Sequence, residues 1–71
     1  MPIEKLKEYF ETEYNFTKTA LENGRADKNS VWYAVQRCLG ASDIAQLMGA
    51  SFADVEPLFE EIKHRLMELE G

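Results

Sequence analysis

Apolar residues recur at helical spacing through most of this chain, in three stretches divided by short polar breaks. In the first, Ile3, Leu6, Tyr9, Phe10, Tyr14, Phe16, Thr17, Ala20 and Leu21 fall inside an arc of roughly 160° at about 100° per residue. The spacing predicts one long amphipathic helix over about 2–22. Pro2 suits a first helical position, where its missing N–H has no intrahelical acceptor to lose, and Asn23-Gly24 tolerate the left-handed conformation of a helix end. Glu13 falls within the apolar arc. Either its flexible stem carries the carboxylate to the edge, or a cation on another element meets it; Arg37, of the same chain or of a second copy, is the pairing that would explain it.

Residues 23–29 have turn composition and no apolar periodicity, so they read as a loop. A second helix is expected to start near Ser30, with Val31, Ala34, Val35, Cys38 and Leu39 in its stripe, Trp32 widening one edge, and Tyr33, Gln36 and Arg37 facing away. Gly40 is the ambiguous point, because glycine costs a helix interior about 1 kcal/mol relative to alanine. Ser42-Asp43 after it could cap a new short helix over 43–49, and a break or kink near Gly40 is the expectation. A helix continuing through Gly40 would leave Ile44 and Leu47 pointing outward, in need of a second burial surface.

The third stretch has the plainest pattern: Val55, Leu58, Phe59, Ile62, Leu66 and Leu69 share an arc of roughly 100°, and Glu56, Glu60, Glu61, His64 and Glu68 take the remainder. Proline is harmless only in the first helical turn, so Pro57 favours Asp54 as the N-cap of a helix over 54–70; Ser51 is the alternative, with a kink as its consequence. Every long segment therefore has a period near 3.6, and the expected architecture is all-α, one helical domain over 1–71. Its form is a small antiparallel bundle of three main helices at about 2–22, 30–49 and 54–70.

Size sharpens this picture. A chain of 71 residues buries only about 60% of the surface it exposes when unfolded, so association is the simplest way to enlarge its core. The lone Cys38 cannot form an internal disulfide, and Cys38 and His64, the only soft metal ligands, lie 26 residues apart. No metal or other cofactor is expected. The start of the chain alternates apolar and charged residues, unlike a signal peptide, and no apolar run approaches the roughly 18 residues of a membrane span; a cytoplasmic location is the expectation.

Ser42 through Leu58 resembles a helix-turn-helix unit, with Ala45 where the helices would cross, Gly49 in the turn, and Val55 and Leu58 anchoring the second helix. The resemblance implies a DNA-binding regulator built on residues 42–70. Charge argues against it. The net charge of −5 is distributed as −1 over 1–29, +1 over 30–42 and −5 over 43–71, so the reading helix would open with Asp54 and Glu56. Affinity for a duplex comes largely from neutralising phosphates with Lys and Arg. Nucleic acid is therefore the less favoured partner.

His64 lies one turn from both Glu60 and Glu68, on the face opposite the apolar stripe, where a solvated charged face is the simpler reading. Cys38 lies in the stripe of helix two and reads as a small buried hydrophobe. With no phosphate loop or nucleophilic triad in the sequence, an enzyme is not expected. Among the aromatics, Phe10, Tyr14 and Phe59 lie mid-stripe and read as core, whereas Tyr9, Phe16, Trp32 and Tyr33 lie at stripe edges or beyond. Together with Ile44 and Leu47 these four form the expected interaction surface of a non-enzymatic module that joins a second copy or another protein.

Overall fold

The computed structural model describes residues 2–71 and contains three helices, α1 (Pro2–Glu22), α2 (Lys28–Leu47) and α3 (Phe52–Glu68). They form the all-α bundle that the apolar spacing requires, and α1 coincides with its expected range. Gly24, at φ 72°, ends α1: its N–H donates to the Leu21 carbonyl at 3.2 Å and that of Arg25 to the Ala20 carbonyl at 2.8 Å. Gly49, at φ 108°, ends α2 in the same way, with Ala50 N–H donating to the Ala45 carbonyl at 3.0 Å. In both turns glycine takes the left-handed residue that a Cβ would strain.

Three boundaries differ from the sequence expectation. α2 begins at Lys28 rather than near Ser30, because Asp27 and Ser30 cap each other: Ser30 N–H donates to Asp27 Oδ1 at 3.1 Å, and Asp27 N–H to Ser30 Oγ at 3.2 Å. No break occurs at Gly40; α2 runs through it, and Ser42, expected as a cap, is a buried interior residue whose Oγ donates to the Cys38 carbonyl at 2.9 Å. The cost of an interior glycine is about 1 kcal/mol, less than the packing of Cys38 and Ala45 on either side of it contributes. The N-cap of α3 is Ser51, whose Oγ accepts from Asp54 N–H at 3.2 Å, not Asp54 itself. Pro57 consequently lies inside the helix, where it withholds the N–H that the Ala53 carbonyl would accept; Ala53 is exposed, so water can serve that carbonyl instead.

α2 is the central element, packed against both α1 and α3. The core joins Leu6 and Phe10 of α1, Val31, Ala34, Val35, Cys38 and Ala45 of α2, and Val55, Ile62 and Leu66 of α3. Tyr14, Leu58 and Phe59 close over it, half-buried, whereas Leu39 reaches only the edge and is exposed. Arg65 ties α3 to α1: its guanidinium donates to the Glu11 carboxylate and lies 4.3 Å from the centroid of the Tyr14 ring. The short links between successive helices set α2 antiparallel to α1 and α3, which pack side by side in the same direction.

Candidate protein-interaction face

Glu13 explains how α1 and α2 are held. Its side chain is only 10% exposed, and Arg37 reaches across from α2 to meet the carboxylate. Nε donates to Oε1 at 2.6 Å and Nη2 to Oε2 at 3.1 Å, a bidentate pair. Tyr9, one turn before Glu13, donates its hydroxyl to Oε1 at 2.8 Å. The pairing inferred from an acid in an apolar arc is therefore present within one chain. Burial opposes ionisation of Glu13, but the hydrogen bonds from Arg37 and Tyr9 outweigh it and hold the carboxyl below its ordinary value. Burial and the bond to Glu13 push the Tyr9 hydroxyl up to about 12.

Two depressions flank this pair along the α1/α2 seam, and Arg37 lines both. The larger, about 460 Å³, lies between Pro2, Lys5, Leu6 and Tyr9 of α1 and Gly40, Ala41, Ile44, Ala45 and Met48 of α2. Three of the α2 positions are Gly or Ala, whose small side chains leave the depression open. At the other end Phe16 and Ala20 of α1 meet Tyr33 of α2. The result is one two-helix face, apolar at the Ile44 end, with Phe16 and Tyr33 beside Arg25 and Ser30 at the other, and a charge-neutral ion pair at its middle.

Large side chains on this face remain in water: Tyr9 is 36% exposed, Phe16 69%, Tyr33 62%, Ile44 58%, Met48 68% and Leu47, at the rim, 87%. Five of the six residues expected to form an interaction surface are thus brought together. Trp32, 54% exposed, is not among them: on a helical wheel it lies about 100° around α2 from Tyr33, on the same edge as Leu39 and toward α3. Met48 is a member that the sequence reading missed. It lies one turn beyond Ile44, a spacing that a helix over 43–49 alone would also have given.

The other candidates fall elsewhere. Cys38 is fully buried, and burial pushes its thiol up to about 12, far from the thiolate range. His64 is exposed on α3 among Glu60, Glu61 and Glu68, and the described residues contain no cluster of three His, Cys, Asp or Glu side chains able to hold a metal ion. The helix-turn-helix-like segment does connect two helices through a glycine turn, but Asp54, Glu56, Glu60, Glu61 and Glu68 are all exposed on α3. No helix among the described residues is long and apolar enough to cross a membrane. No family of proteins, no curated protein and no solved structure matches the chain.

Proposed function

We propose that this chain is a non-enzymatic protein-interaction module and that the α1/α2 face is its working surface. One observation carries the reading: six large apolar or aromatic side chains, contiguous on that face, stay in water around an ion pair whose charges cancel. At roughly 200 Å² for a large side chain, they leave on the order of 700–800 Å² exposed, above the roughly 300–600 Å² of the largest apolar patch on a typical monomer. A burial surface of this kind recruits polypeptide, because its ends are broad, shallow and aromatic. The buried, un-ionised Cys38 is a packing residue and supports the non-enzymatic part of the reading. A cytoplasmic setting belongs to the same proposal, since an unpaired thiol suits a reducing compartment.

A nucleic-acid reading on residues 42–70 has the turn but not the charge, because the exposed side of α3 presents carboxylates where phosphates would have to approach. The test of the face is site-specific photocrosslinking in cells that produce the protein. A photoreactive phenylalanine analogue at Ile44 or Tyr33 is expected to give discrete polypeptide adducts, and the same group at Glu60 on α3 to give none. Adducts from position 60 alone, or none from 44 and 33, would overturn the assignment.

A further inference from the structure

Resting on the assignment of the α1/α2 face as the working surface, we infer that its occupant is a second copy of this chain. The two copies join face to face about a twofold axis, so that two helical hairpins become a four-helix layer with α3 outside on each side.

Area is the first argument. A specific interface of standard size buries about 800 Å² on each partner, and the exposed side chains of this face supply on the order of 700–800 Å². The single chain is also more open than its mass requires. A compact 8.2 kDa monomer exposes about 4500 Å², whereas this one exposes 4878 Å². Its radius of gyration is 12.2 Å, against about 11 Å for a compact domain of this length.

Charge supplies the second argument, and it selects the second copy over other polypeptides. The chain carries −5 in total, but the face holds Lys5, Arg25 and the neutral Glu13–Arg37 pair, a local charge of +2, so the remaining surface carries −7. Two copies meeting through α3 would set carboxylates against carboxylates. Meeting through α1 and α2, they oppose apolar side chains and a cancelled ion pair, the orientation with the least like-charge repulsion. A twofold interface needs a patch that complements itself, and a nearly neutral apolar face does so without a matching rim of charge.

Geometry permits close approach. Gly40 has no atom within 4 Å of where a Cβ would stand, and Ala41 lies beside it in the groove, so the long side chains Ile44 and Met48 of the second copy have a shallow bed to enter.

Sedimentation velocity on the purified chain from about 1 to 300 µM tests this. The wild type is expected to reach about twice 8.2 kDa and to associate more tightly as salt rises, because salt screens the repulsion between two acidic bodies. Leu47→Lys, at a side chain almost wholly in water, and Ile44→Lys are each expected to weaken association at least tenfold, with helicity by circular dichroism unchanged. Trp32→Gln, off the face, is expected to leave association as it is. A wild type that stays monomeric throughout, or a dimer that salt dissociates, would overturn the second copy as occupant. A dimer lost in Trp32→Gln and kept in Leu47→Lys and Ile44→Lys would overturn the face itself. If the chain is monomeric yet the photoreactive group at Ile44 captures a different polypeptide, the face stands and only the identity of its occupant falls.

Discussion

At the scale of the residue, Glu13 concentrates the chemistry of this molecule. A buried carboxylate would be costly alone, and it is tolerated because three hydrogen-bond donors converge on it from two side chains. Among the described residues no buried side-chain nitrogen or oxygen lacks a partner, so the polar network closes on itself. Glu13→Gln keeps the shape but removes the charge. Arg37 is half in water, which reduces the worth of the pair below that of a fully buried one. The substitution is expected to cost about 1–2 kcal/mol at pH 7 in urea denaturation. The pH dependence follows from the direction of the shift. The folded-state value lies below the ordinary 4.5, so the contribution is complete above pH 4.5 and disappears as pH falls through the folded value. Glu13→Gln is therefore expected to flatten the acid limb of the stability profile. Glu11, drawn down by its bond to Arg65, retains a smaller limb of the same sign because the pair is exposed.

At the scale of the element, the apolar spacing made the three helices legible, and the acid inside the first arc made its cation legible too. Less legible were the places where two local rules competed. Pro57 argued for Asp54 as the cap, yet a serine accepting from Asp54 N–H, together with an exposed Ala53, set the cap three residues earlier. Gly40 argued for a break, but the local preference is worth about 1 kcal/mol and gives way to the burial of Ser42 and Ala45 beyond it. Trp32 was grouped with Tyr33 because adjacent aromatics look alike in a sequence, although on a helix they point about 100° apart. Since Gly40 meets no obstacle and needs no positive φ, Gly40→Ala is expected to stabilise the folded chain by about 0.5–1 kcal/mol. Denaturation of the Leu47→Lys background, with and without the change, measures this apart from association.

At the scale of the whole molecule, the bundle measures 38 × 16 × 14 Å, long and thin, with one flank covered by α3 and the opposite flank bare. A body of this shape has much surface for its core, so covering the bare flank would add to its stability. If the cover is a second copy, mass action makes the midpoint of thermal unfolding depend on concentration. The wild type is expected to melt several degrees higher at about 200 µM than at about 5 µM, and Leu47→Lys to melt at one temperature across that range. Differential scanning fluorimetry over a dilution series measures both.

The links between the helices have a bearing on the order of events. Residues 23–27 join α1 to α2 and residues 48–51 join α2 to α3, so every neighbouring pair of helices is separated by only four or five residues. Helical bundles with such local wiring fold in microseconds to milliseconds, whereas two chains at about 10 µM, with ordinary rate constants of 10⁵–10⁷ M⁻¹s⁻¹, need roughly 10 ms to 1 s to find one another. Each hairpin is thus finished before it encounters anything. In the proposed dimer, subunits would therefore trade places as intact bodies, and its lifetime would be set by separation of two surfaces rather than by dismantling of either fold.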